Sequence, residues 1–290
     1  MNQDEFNQIM QRVSQLSVEL RRNSGYLARK EIEGLKSEYR NNPKRLEQFG
    51  YKVYSQNDED GILSEIFKRI GVEHGVFCEI GVENGLECNS LYLIHKGWRG
   101  IWLEGNEGQK QSIESKFELL IQSKKLALGI AYIKPENINV IITERCSALE
   151  IDASQIDFLS IDIDGMDIYL LEAIEFKPKV ICMEYNSKFP PSLNKKPLYD
   201  PSFRWNFSDY MGSSLVALDE SAKRLGYSLV GTNLTGANAF FVRNDLLGNH
   251  FNKELTPEAL YNPCRYYLFF DHYHDTVGHY PDFGPYVDLM

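Results

Sequence analysis

The 290-residue chain is 43% hydrophobic and 25% charged, which supplies apolar mass for one sizeable α/β core and excludes a disordered polyampholyte. Its net charge of −10 argues against broad binding to nucleic acid or to an anionic membrane surface. No apolar run approaches the ~18 residues of a membrane span, the polar start MNQDEFNQIM is no signal peptide, and five scattered cysteines without a C-x-x-C pair read as free thiols of a cytoplasmic protein.

Residues 1–47 read as an N-terminal helical extension and 48–290 as the main domain. Ile9, Val13, Leu16 and Leu20 recur at four-three-four spacing and draw one apolar stripe along a helix. So short a stripe is first expected to pack on its own domain; the other reading is a homo-oligomer paired through this helix. Asn41-Asn42-Pro43 breaks the pattern.

Strands and helices then alternate. Asp58-Glu59-Asp60 puts acids at the positive end of a helix whose apolar face is Ile62, Ile66, Phe67 and Ile70. Strands follow at Val76–Ile80, Gly100–Glu104, Leu126–Ile133, Ile156–Asp162 and Lys179–Glu184. Helices are expected at Leu91–His95, Gln109–Leu120, Ile168–Ile174 and Leu215–Leu225. Tyr227–Gly231 and Ala239–Arg243, joined only by a turn, form an antiparallel pair at the end. The fold class is therefore α/β, a doubly wound and mostly parallel sheet with an antiparallel C-terminal strand pair.

The most informative stretch is FCEIGVENGLECNS, Phe77 to Ser90. It reads Glu79-x-Gly81-x-x-x-Gly85, a glycine turn after a strand, yet it lacks G-x-G-x-x-G and carries Glu79 and Glu83 where a pyrophosphate would sit. Those acids oppose a dinucleotide and suit S-adenosylmethionine, which carries an ammonium and a sulfonium and no phosphate. Gly81 and Gly85 would let the backbone approach the methionine part, Glu79 would be the local anion, and Glu104 at the end of the second strand would accept the ribose hydroxyls.

Three stretches carry a family resemblance: YSQNDEDG (Tyr54–Gly61), the Glu79–Gly85 turn, and IDFLSIDIDGMD (Ile156–Asp167). Over about residues 50–245 the chain resembles class I S-adenosylmethionine-dependent methyltransferases, specifically the FkbM-type group. It departs from that group's pattern at Ser160, where a lysine is usual, and at Asp164 and Asp167, where glutamates are usual. The resemblance implies a Rossmann-like domain and methyl transfer to a hydroxyl of a sugar, nucleotide-sugar or glycan precursor, as in polysaccharide biosynthesis. Cofactor contacts are expected from Gln56, Glu79, Gly81, Asn84, Gly85, Glu104 and Asp162.

Transfer to oxygen also needs a proton acceptor or a metal. The densest acid cluster is SIDIDGMD with MEYN after the fifth strand, so Asp162, Asp164, Glu184 and Asn186 are the catalytic candidates. An all-oxygen set suits Mg²⁺, held by Asp162, Asp164 and Glu184; the alternative is that Asp164-Gly165 is a turn and Asp167 caps the next helix. The loop of residues 188–210 is a candidate acceptor lid through Tyr199, Arg204 and Trp205. FFDHYHDTVGHY offers Asp271, His272, His274, Asp275 and His279 as second-choice bases. Asn238 reads as a residue that turns the late hairpin. Two other readings stay open: a nicotinamide or nucleotide-sugar enzyme, and a catalytically silent methyltransferase-like binding module.

Overall fold

The computed structural model describes residues 2–252 and 254–269, so the acid-histidine group at 271–279 lies outside the described residues. Seven strands form one sheet: β1 (Val76–Ile80), β2 (Arg99–Glu104), β3 (Leu126–Ile130), β4 (Phe158–Ile161), β5 (Val180–Glu184), β6 (Tyr227–Thr232) and β7 (Asn238–Arg243). Their order is β3-β2-β1-β4-β5-β7-β6. The first five are parallel, and β7 runs antiparallel to both β5 and β6. This is the Rossmann-like sheet with an antiparallel edge that the alternation predicts. The chain builds outward from β1 through β2 to β3, then returns to lay β4 against the other side of β1. The switch point therefore falls between β1 and β4, where such sheets open a crevice.

Alternating side chains feed two cores. Phe77, Trp102, Phe158, Val180 and Phe240 pack with α2 (Glu59–Arg69), α3 (Leu91–His95), α4 (Lys110–Lys116) and α5 (Glu118–Gln122). Cys78, Leu103, Leu159, Ile181 and Phe241 pack with α6 (Ile138–Ala148), α7 (Asp167–Ala173) and α8 (Leu215–Arg224). A short α9 (Pro257–Leu260) adds Leu260 to this second core.

Three local expectations are corrected. β3 stops at Ile130 because Glu104, the last residue of β2, pairs there and nothing continues the ladder. The helix expected over 109–120 breaks in two at Phe117, whose ring is buried edge-on against Trp102, 4.7 Å away. Helix α6 is additional: Ile138, Ile142 and Cys146 face the core, but exposed Val140 blurs their four-residue period in the sequence. Asp58, Glu59 and Asp60 start α2 as expected, with Asp58 at the cap and Glu59 and Asp60 in the first turn, and all three are buried. Asp60 accepts the backbone N–H groups of Val53, Tyr54 and Ser55 at 2.7, 2.7 and 2.9 Å, and so shapes the loop before α2.

The N-terminal element, α1 (Gln3–Tyr39), opens with a capping box between Asn2 and Glu5. Its last turns are tied to the domain: Lys36 Nζ donates to Gly50 O, Glu31 accepts from Tyr267 at 2.6 Å, and Arg45 stacks on Tyr39. The stripe expected to pack on its own domain does not pack on the described residues. Phe6, Ile9, Val13, Leu16 and Leu20 are 43 to 67% exposed, and Ala28 is the helix's buried residue. Past the helix the chain joins the core before residue 48, with Leu46 and Glu47 fully buried.

Candidate functional site

Strand register sets the site. Ile80 pairs with Leu103 on one side and Ile161 on the other, and Ile161 pairs with Met183. The next residues therefore line up across the carboxyl edge of the sheet in the order Glu104, Gly81, Asp162, Glu184. Asn238, directly opposite Glu184 on β7, extends the row.

On the β1–β2 side the acids are occupied. Glu79, 3% exposed, accepts the backbone N–H of Asn89 and of Ser90, both at 2.8 Å, and the Ser90 hydroxyl. That hydroxyl in turn accepts from Trp102 Nε1 at 2.7 Å. Burial raises the Glu79 pKa while these donors lower it. The carboxylate thus folds the turn onto α3 and braces the loop. Glu104 likewise accepts the N–H of Glu83 and of Asn106, each at 2.7 Å, and so ties the loop after β1 to the loop after β2.

The glycines also answer to the protein itself. Gly81 has φ +87°, and a Cβ there would lie 1.6 Å from the carbonyl oxygen of Asp162, so the two walls of the crevice touch at this point. Gly85 has φ +76°, and a Cβ there would strike the Trp102 ring at 2.6 Å. Its smallness serves packing against that ring. Asn84 and Gln56 are exposed beside the turn; Asn84 Oδ1 accepts from Leu86 N at 2.9 Å, and the Gln56 carbonyl accepts from Lys52.

On the β4–β5 side the acids are crowded. Asp162, Asp164 and Glu184 are half-buried, and each offers an oxygen within 4.8 Å of the others. Burial pushes Asp162 well above the ordinary carboxylate range, and Asp167, Asp164, Glu79 and Glu83 push it further. Glu184 is raised well above its ordinary value by burial and then by Asp162, Asp167 and Asp164, and its Oε2 is buried without a hydrogen-bond partner. Asp164 sits at φ +59°, in a turn that Asp167 pins by accepting from Ile163 N at 2.8 Å and Gly165 N at 2.9 Å. The turn expected at Asp164-Gly165 is therefore present together with the triad, and Asp167, raised by burial to about 6, belongs to the turn.

Asn186 follows β5 as expected and is engaged within the protein. Its side chain is buried, its Nδ2 donates to Asp209 O at 3.0 Å and Met211 O at 2.8 Å, and its Oδ1 accepts from Lys188 N, so it anchors the loop. The 188–210 loop does lie over the acid turn: a Cβ on Gly165 would meet the Phe203 ring at 2.3 Å, and Tyr132 donates to Phe203 O at 2.7 Å. Its three candidate residues are engaged within the protein. The Arg204 guanidinium stacks 3.6 Å from the centre of the Tyr132 ring, Tyr199 donates to Glu136 at 2.8 Å, and Trp205 donates to Ser208 O at 2.8 Å.

Glu59, Asn238 and Tyr266 make contacts at this edge that the sequence reading does not give. Glu59 Oε1 accepts from Asn233 Nδ2 at 2.7 Å and Asn238 Nδ2 at 2.9 Å, which fixes the late hairpin against α2 and leaves Asn238 Oδ1 buried without a partner. Asn238 thus does more than turn the hairpin. Tyr266 lies beside Ser187 and within electrostatic range of Glu184 and Asp162, which with burial raises its phenol pKa. No local pattern announces these residues, since each depends on segments brought together from far along the chain. A cavity of about 210 Å³ between α7 and α8, lined by Ile168, Lys196 and Arg224, is on the other layer and contains none of these groups.

No family model and no curated protein matches the chain. Among solved structures, a Staphylococcus aureus protein provisionally assigned as a caffeoyl-CoA O-methyltransferase is similar over 76% of this chain and 99% of its own, at 16% identity and a TM-score of 0.42. The N-terminal domain of EvdMO1, crystallised with S-adenosylhomocysteine and D-fucose, covers 74% of this chain and 94% of its own at 14% identity and a TM-score of 0.40. The METTL16 methyltransferase domain covers 67% of this chain and 70% of its own at 10% identity and a TM-score of 0.41.

Proposed function

We propose that the chain is an S-adenosylmethionine-dependent O-methyltransferase acting on a hydroxyl of a sugar, nucleotide sugar or glycan precursor. The observation that carries the reading is the crowded triad Asp162, Asp164 and Glu184, set beside a glycine crevice that presents acids where a phosphate ligand needs donors. The methyl donor would lie along Gly81, Asn84 and Glu104, with Gln56 and Asp162 at the margins and Glu79 holding the turn from behind. It would supply an electrophilic methyl on sulfur. Asp162 or Glu184, whose pKa values are raised by burial and by the neighbouring acids, would take the proton from the acceptor hydroxyl as its oxygen receives the methyl and sulfur leaves.

A divalent cation fits the same residues. Three carboxylates converge, Glu184 Oε2 and Asn238 Oδ1 are buried acceptors without partners, and the set contains oxygen alone. Mg²⁺ held by Asp162, Asp164 and Glu184 would offset the mutual repulsion and lower the pKa of a bound hydroxyl. Tyr199, Arg204 and Trp205 remain the proposed face toward the acceptor, after release from their present partners.

Calorimetry with S-adenosylmethionine, S-adenosylhomocysteine and NAD tests the reading. Heat with both adenosyl ligands and none with NAD is expected. Silence with both adenosyl ligands overturns it, and adenosyl binding without turnover on a broad panel of sugar acceptors favours a binding module instead.

A further inference from the structure

Helix α1 carries an apolar seam that the described residues leave exposed. Numbered as heptads, Phe6, Val13 and Leu20 take one seam position and Ile9, Leu16 and Asn23 the other, a strict four-three repeat from residue 6 to 23. The five apolar members are 43 to 67% exposed, over a helix of 37 residues that is about 55 Å long. Scattered exposed hydrophobics need no explanation, but a continuous stripe with this period does.

Charge selects the partner and its direction. The residues flanking the seam on one side are Glu5, Arg12 and Glu19. In a parallel pair they would face Met10, Ser17 and Ser24 of the second copy, and no ion pair would form. In an antiparallel pair this flank faces itself. When Val13 packs on Leu16 and Leu20 on Ile9, Arg12 meets Glu19 of the second copy, and symmetry repeats the contact. A slip of one heptad in one direction sets Arg12 against Arg12 and Glu5 against Glu19; a slip in the other sets Glu19 against Glu19. We infer that two copies of this chain associate through α1 as an antiparallel helix pair centred between Val13 and Leu16, with two symmetric Arg12–Glu19 contacts fixing the register.

The proposal is independent of the methyltransferase reading, because it uses none of the residues at the sheet edge. The test is sedimentation equilibrium on the full chain. Wild type is expected to be a dimer, and Leu16→Glu a folded monomer by circular dichroism. Arg12→Glu alone and Glu19→Arg alone each replace two attractions by two repulsions and should weaken the dimer about tenfold, while the double exchange restores it. A monomeric wild type overturns the proposal, as does a dimer that survives Leu16→Glu. Single exchanges that leave the dimer unchanged, or a double exchange that fails to restore it, overturn the antiparallel register.

Discussion

Two groups of acids share one edge of the sheet and have opposite environments. Glu79 and Glu104 spend their oxygens on backbone N–H groups of the loops around them. Asp162, Asp164 and Glu184 face one another, and Glu184 keeps a buried oxygen unpartnered. A carboxylate that accepts two N–H bonds has its oxygens satisfied and holds structure. Carboxylates that meet only other carboxylates are destabilised in their charged form, and persist where a proton, a cation or a reacting hydroxyl is to be handled. The same residue type is thus a brace on one side of the switch point and an unsatisfied, crowded group on the other.

The comparison can be broken by exchanging the consequences. Asp162→Asn or Glu184→Gln is expected to lower turnover at least about 100-fold while leaving the folded state at least as stable near neutral pH, because each removes like-charge repulsion. Methyl transfer from radiolabelled donor and urea unfolding measure the two arms; unchanged turnover in both variants would return the triad to a structural role. Glu79→Ala should do the reverse and cost about 2–3 kcal/mol of stability, since it leaves two buried N–H groups and a hydroxyl without an acceptor. If stability is unaffected and only adenosyl affinity falls, Glu79 faces the ligand after all.

Two smaller effects sharpen the contrast. Asp58 is fully buried, both its oxygens lack partners, and burial followed by Glu59 raises its pKa from 3.8 to about 8. The folded chain therefore takes up a proton there: the stabilisation is complete below the unfolded pKa and is lost as pH rises to about 8. Wild type should lose about 1 kcal/mol from this group between pH 6 and pH 7, and Asp58→Asn should remove that slope in pH-dependent urea unfolding. Least in size, millimolar Mg²⁺ should raise the melting temperature of wild type by about 1–3 °C and leave Asp162→Asn unmoved, with chelator reversing the gain. A shift of equal size in both proteins would place the cation elsewhere.

Much of the sheet is legible in the sequence because buried strands announce themselves locally. VFCEI, WLE and VICME are short apolar runs bounded by turns or acids, and each falls within the observed strand. Asp162, Asp164 and Glu184 are legible as a group for a related reason: parallel neighbours place the ends of their strands side by side, so residues at matching ends must meet. What misleads is the partner of each polar group. Glu79, Gly85 and Asn186 look like ligand-facing residues, but loops that return from residues 89–90, the Trp102 ring and the segment at 209–211 claim them first. Asn238 and Tyr266 are illegible because their neighbours, Glu59 and Glu184, come from distant segments.

The sequence by itself determines the period of each element, the acidic character of the strand ends, and the heptad seam with its Glu-Arg-Glu flank, because these depend on neighbours within about two turns of chain. Tertiary structure alone decides which acids are satisfied and which are not, and whether the seam is covered. Hydrogen-bond satisfaction and burial are properties of the space around a side chain, and that space is filled by segments the local pattern does not contain.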